Sequence, residues 1–309
     1  MNTIVLAIVQ AFLLVLLAPL VSGTARWMRA KMHTRRGPSI LQDYYDIAKL
    51  FKRQDVHTSD SSFVHRLMPP LYFGTMLILA MGIPAFTLAC PIPVLGDVIL
   101  IIYMLALPRF FFALSAVDTG DAYAGIGGIR ELLVGVLVEP AMMIALFVAA
   151  IATGTTNIGL MGTAIASGSA TNPVAVIVAG IAFALACYIE MGKLPYDVAE
   201  AEQELQEGPL AEYSGPSLAM AKMSMTMKQI IVASMFVAIF LPFGAAADMS
   251  IGAVAMGALF YVLKVAFIFF VCALVENAVC RVRYKLMGKQ TWTVVGISAF
   301  AFLLCLLGM

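Results

Sequence analysis

Long apolar runs alternate along the chain with shorter polar gaps. The runs cover roughly residues 4–22, 69–89, 97–117, 132–153, 173–190, 229–247, 250–275 and 291–307. About 20 helical residues, at 1.5 Å each, cross roughly 30 Å of hydrocarbon. The pattern therefore predicts an all-α integral membrane protein with about eight transmembrane helices. The first run, Ile4 to Val21, has no basic leading segment and no A-x-A site, so it reads as a span and not as a cleaved signal. One polar gap carries its own periodicity. Ile40, Tyr44, Ile47, Ala48 and Phe51 recur at helical spacing, with Asp43, Asp46, Lys49 and Lys52 between them. This predicts an amphipathic helix in the first loop, either resting on lipid or forming a platform for a peripheral subunit.

Composition strengthens the membrane reading: 62% of the 309 residues are hydrophobic and 12% are charged, outside the soluble range. Residues 1–309 read as a single polytopic membrane domain. The distribution of bases then sets an orientation. Of the 19 Lys and Arg, all but Arg109 and Lys264 fall in the loops 23–68, 118–131, 191–228 and 276–290. The intervening loops hold none. By the positive-inside rule those four loops are expected in the cytoplasm, with both termini outside and an even number of spans.

Several chemistries are disfavoured. The five cysteines are scattered, with no C-x-x-C and no Cys/His cluster, so no metal site is expected in this chain. Gly125-Ile126-Gly127-Gly128 follows no strand and is given no phosphate role. Neither a nucleic-acid motif nor the repeat of a secondary transporter is present.

Charges inside apolar runs are costly and therefore informative. Glu139 lies in LLVGVLVEPAMMIALF, just before Pro140. It is either a protonated acid bonded to a neighbouring helix or a member of a proton relay. Lys264 poses the same question. Glu276, nearer a loop, can meet Arg281 or Arg283. Arg109, after Pro108, either sits mid-span or faces a buried acid.

The densest acid lies between Cys187 and Gly215: Glu190, Asp197, Glu200, Glu202, Glu204, Glu207 and Glu212, against Lys193 as the one base. Pro195 ends the fifth run. Asp197 and Glu200 fit a capping box that would open a helix closed by Gly208-Pro209. On that helix Asp197, Glu200, Glu204 and Glu207 would share a face. Such an acidic face is either solvated or a site where crowding raises carboxyl pKa values.

These residues also carry a family resemblance. The run Ile189-Glu190, Lys193-Leu194-Pro195-Tyr196-Asp197, Glu200-Ala201-Glu202-Gln203-Glu204 and Glu212-Tyr213-Ser214-Gly215 resembles the signature of the complex I subunit 1 family. Arg35-Arg36-Gly37-Pro38, Arg130 nine residues before Glu139, Lys264, and the Arg281-Val282-Arg283-Tyr284 exit match as well. Three departures from the quinone-reducing members, at Gln206-Glu207-Gly208-Pro209, after Pro38, and at Val275-Glu276-Asn277-Ala278, resemble the formate hydrogenlyase and hydrogenase-4 membrane subunits.

The resemblance implies a complex I subunit 1-like bundle that anchors and ion-couples a group 4 [NiFe] hydrogenase complex in a bacterial cytoplasmic (inner) membrane. It implies a non-catalytic subunit without a cofactor of its own, the [NiFe] centre and iron–sulfur clusters being held by partner subunits. Glu139, Glu190, Asp197, Glu200, Glu202, Glu204 and Glu207 would line a polar path, with Lys264 and Arg130 as partner charges. Arg35, Arg36, Gly37, Pro38, Asp43, Lys49, Glu212 and Tyr213 would face partners. Those partners would be a hydrogenase large subunit, a small iron–sulfur subunit and an antiporter-like membrane subunit. The rival readings are the quinone-site subunit of an NADH dehydrogenase and a structural anchor with a vestigial ion path.

Overall fold

A computed structural model describes residues 3–58, 61–282 and 284–308, without the side chains of Glu202, Gln203 and Lys285. Among the described residues there are eleven α-helices and no strands. They are α1 (Thr3–Met32), α2 (Gln42–Phe51), α3 (Phe63–Gly82), α4 (Val98–Asp118), α5 (Ala122–Thr153), α6 (Ile158–Ala166), α7 (Pro173–Glu190), α8 (Glu202–Leu205), α9 (Gly215–Phe240), α10 (Ile251–Ala278) and α11 (Tyr284–Leu306). Eight of these are long and apolar enough to cross a membrane.

Local chemistry sets many helix starts. The side chains of Ser62, Asp97, Asp121 and Ser250 each accept a backbone N–H in the first turn of α3, α4, α5 and α10. α7 and α9 begin with proline in the first turn, where no N–H is missed.

Several spans differ from expectation: α1 runs past residue 22 to Met32, α5 starts at Ala122 and not at 132, α11 starts at Tyr284 and not at 291, and the second and sixth spans are displaced. The second ends at Gly82, short of residue 89, because Pro84 follows and the chain turns into irregular structure. The carboxamide of Gln10, fully buried on α1, donates to the carbonyls of Ala80 and Ile83 at 2.8 and 2.6 Å. Those bonds satisfy a helix end that lipid would leave unpaired. The sixth span runs Gly215–Phe240 where 229–247 was expected. Its first half carries Lys222, Ser224, Thr226 and Lys228, which resemble a loop in sequence. In the bundle those residues face other protein and a polar cavity, so the helix continues through them. The loop 118–131 is shorter than expected because α5 already begins at Ala122, and the loop 191–228 because α9 begins at Gly215.

Helix α5 packs against α4, α7 and α11, while α9 packs against α1, α3, α6 and α7. Small residues allow this approach: Ala141, Ala145 and Ala149 on α5 and Ala175, Ala179, Ala182 and Ala186 on α7 are fully buried. Their spacing of three or four residues keeps each series on one face, as in close membrane packing. The amphipathic α2 lies across α1 and α9, with Asp43 buried beneath it and Tyr45 and Phe51 exposed above.

Candidate functional site

Five charges form a continuous chain inside the bundle. Arg109 of α4 pairs with Glu139 of α5 and with Glu190 at the end of α7. Lys228 of α9 pairs with the same Glu190 at 3.0 Å and with Glu131 of α5 at 3.2 Å. The order is Glu131, Lys228, Glu190, Arg109, Glu139. Four helices therefore contribute to one line of alternating sign, with three carboxylates against two bases.

The local fit explains how a guanidinium is held there. A methyl group added at Gly135 would lie 2.6 Å from Cδ of Arg109, so the missing side chain is the space that Arg109 occupies. Arg109, Glu190 and Lys228 are buried. Glu139 is the less enclosed end, its side chain 28% exposed on the flank of the bundle.

The other end opens into a cavity of about 620 Å³. Glu131 and Lys228 form part of its inner wall. α2 contributes Ile47 and Leu50, α1 contributes Arg26 and Arg29, and the segment after α7 contributes Lys193, Asp197 and Glu200. Its walls mix aliphatic side chains with acids and bases of both signs. Paired groups recur around it: Arg26 with Asp43, Arg29 with Glu276 at 3.4 Å, and Arg281 with Asp197.

The acid loop does not form the expected helix. Residues 198–200 are a turn, and α8 spans four residues. Asp197 directs its carboxylate to the guanidinium of Arg281, with one bond at 3.1 Å, and no helix begins directly after it. Positive φ angles at Ala201, Gln206 and Glu207 break the helical run further. The shared acidic face is therefore absent. Glu204 is exposed and accepts from Arg130 at 2.7 Å. Glu207 lies 3.7 Å from Lys222. Glu200 remains on the cavity wall, where burial, then Asp197 and Glu131, push its carboxyl up to about 7. The side chain of Glu202 lies outside the described residues, as does Arg283.

The loop is pinned to α5 by glycine. A methyl at Gly127 would meet Pro209 Cδ at 2.7 Å and the Ala199 carbonyl oxygen at 2.8 Å. Gly127 and Gly128 of α5 thus serve close approach, to the loop and to α4.

Other candidates are placed differently from expectation. Lys264 lies apart from the charge chain: it donates to the Leu241 carbonyl at 2.6 Å and to that of Phe243, closing the end of α9. A cation there meets the negative end of a helix dipole. Glu276 finds Arg29, while Arg281 is taken by Asp197. Asp43 is buried against Arg26, and Tyr213 is buried with its ring stacked 4.1 Å from His65 and its hydroxyl donating to the His65 carbonyl at 3.0 Å. Neither offers surface to a partner. Arg35, Arg36, Pro38 and Lys49 are exposed, and Gly37 and Glu212 are half-buried.

Sequence reasoning missed Glu131 and the site role of Lys228, and left Arg109 undecided. A signal for Glu131 existed: it lies eight residues before Glu139, close to two helical turns, and so on a related face. Lys228 was hidden by the misplaced start of α9.

Comparison with known proteins follows the same line. The sequence profile of the NADH dehydrogenase family matches residues 4–307. Hydrogenase-4 component C of Escherichia coli is 47% identical over 306 residues, covering 99% of this chain and 97% of that protein. Formate hydrogenlyase subunit 4 of Escherichia coli is 42% identical over 295 residues, covering 96% of each. A chain from the structure of an archaeal respiratory membrane complex, the membrane-bound sulfane sulfur reductase, has the same fold, with a TM-score of 0.86 over 99% of this chain and 21% identity.

Proposed function

Because the chain belongs to the NADH dehydrogenase subunit 1 family, and within it resembles hydrogenase-4 and formate hydrogenlyase components along nearly its full length, we propose that it is the membrane subunit of a group 4 [NiFe] hydrogenase complex, coupling that complex's redox reaction to ion movement. The observation that carries the coupling role is the five-charge chain from cavity wall to bundle flank. Three carboxylates against two bases leave the chain one proton short of neutrality. A proton entering at Glu131 can be accommodated at any of the three acids, and each relocation shifts the pairing of Lys228 or Arg109. Glu131 and Glu139 are separated by about 12 Å of helix, so the relay carries charge over a useful depth.

The flank around Glu139 is apolar and exposed, with Leu107 and Phe110 of α4 and Leu133 and Val136 of α5. An adjacent membrane subunit of antiporter type fits there and takes the charge onward. The exposed Arg35, Arg36 and Lys49, with the outer face of α2, suit a peripheral hydrogenase large subunit and its small iron–sulfur subunit. In this reading the charged loops face the cytoplasm, both termini face outward, and nickel, iron and clusters reside in the partners. No group in this chain performs bond chemistry on hydrogen. The rival quinone-site role is disfavoured by the three departures from the quinone-reducing pattern.

The test is Glu139→Gln in the assembled complex. The expected result is loss of the linked ion gradient with hydrogen evolution retained at a reduced rate. Unchanged hydrogen evolution and an unchanged gradient would show that the chain of charges is not the path.

A further inference from the structure

Among the described residues, Lys193 and the exposed Lys49 are the bases around the cavity without a carboxylate ion pair, and of the two Lys193 is the buried one. Its side chain is buried, with the residue 9% exposed, and it lines the cavity wall. Arg26, Arg29, Lys228 and Arg281 each have a carboxylate partner there, and Lys222 reaches Glu207. Among the described residues no carboxylate forms an ion pair with Lys193, and its ammonium lies 5.6 Å from the centre of the Phe269 ring on α10. A cation over a ring is held far more weakly than one in a buried ion pair. An arginine, which cannot deprotonate, would be the ordinary choice if only a fixed charge were needed.

We propose that Lys193 is a proton-exchanging group of the cavity, trading a proton with Glu200 across it. Moving a proton from the ammonium to the carboxylate breaks one N–H bond and forms one O–H bond. It leaves an amine and a carboxylic acid, so the pair can hold the proton at either end without changing net charge. The surroundings suit this exchange. Glu276 and Cys272 face Lys193 from α10, Arg29 faces it from α1, and Glu200 from its own loop. Burial lowers Lys193 while Glu276 and Glu200 raise it again, with a net lowering. Glu200 is raised by burial and by Asp197, Glu131 and Glu207. Two groups of opposite type are thus drawn toward each other in proton affinity beside Glu131, the mouth of the charge chain. The inference deepens the proposed function and rests on it for its purpose, but its chemistry can be measured separately.

The measurement is partial acetylation of lysines in the purified, assembled complex across pH, read residue by residue by mass spectrometry, with exposed Lys52 as the reference. Lys193 should label half-maximally at a distinctly lower pH than Lys52. Glu200→Gln, which removes a neighbouring negative charge, should lower that midpoint further. A midpoint equal to that of Lys52, no labelling at any pH, or no response to Glu200→Gln would each overturn the proposal. A second arm compares Lys193→Arg with Lys193→Met for ion movement per turnover. Both should lose about tenfold or more, because neither can exchange a proton near neutral pH. Ion movement retained by Lys193→Arg, in a preparation where Glu139→Gln abolishes it, would reduce Lys193 to a fixed charge. If Glu139→Gln has no effect while Lys193 still labels early and responds to Glu200→Gln, the exchange stands and the path through Glu139 fails.

Discussion

At Arg109 one guanidinium holds two carboxylates from two other helices. Removing one partner of a buried ion pair costs on the order of 3–5 kcal/mol, because the remaining charge is left unpaired. Arg109→Met strands Glu139 and leaves Glu190 with Lys228 alone. It should cost at least that much, read as loss of folded subunit in a detergent unfolding assay, with partial rescue by adding Glu139→Gln. Lys264→Met removes two bonds to carbonyls and strands no acid. It should cost about 1–3 kcal/mol in the same assay and leave the charge chain intact. Glu200 makes a separate prediction about pH. Its folded-state pKa, about 7, lies above its ordinary 4.5, so the folded protein binds the extra proton. Stability contributed by that proton is present at low pH and is lost as pH rises from about 4.5 through about 7. Glu200→Gln should therefore match the parent near pH 4 and exceed it near pH 8, by about 3 kcal/mol in thermal unfolding.

Helices carry these residues into register, and small side chains set how closely they approach. Gly135 on α5 provides the space for Arg109 on α4. Gly135→Ala should displace the guanidinium and weaken both of its ion pairs. Ion movement should then fall although no charged residue has changed, while membrane insertion, followed by fractionation, should remain. The element scale is also where sequence reading was least reliable. Hydropathy located α7 well because its polar residues are few, but it missed the first ten residues of α5, where Arg130 and Glu131 lie. It misplaced α9 because Lys222, Thr226 and Lys228 look like loop residues to any one-dimensional average. The carboxylate partners of Lys228, Glu131 and Glu190, come from helices far away in sequence. The acid loop failed in the opposite direction. Its D-x-x-E spacing satisfied a local capping rule, yet Arg281 took Asp197 and the close packing of residues 199 and 209 on α5 fixed another course.

For the whole molecule, the two ends of the charge chain face different neighbours: a polar cavity roofed by α2, and an apolar flank. The exposed Arg35 and Arg36 stand beside the roof. Replacing both by glutamate should release the peripheral arm, seen as loss of co-purification, while the subunit stays in the membrane. The eight-span architecture, the amphipathic helix and the family membership were all legible in the chain, since apolar run length and short motifs are one-dimensional quantities. The sequence also supplied Glu139 as an acid too costly to bury without purpose and Glu190 as a member of the acid-rich segment. Tertiary structure decided their partners. Arg109 and Lys228 meet them from two other helices, with Glu131 paired in turn to Lys228, Lys264 turns away to close α9, and Lys193 is left beside an aromatic ring. Ion pairing in a low-dielectric interior depends on distances of a few ångströms between residues up to about a hundred positions apart, and no periodicity along a single chain encodes those distances.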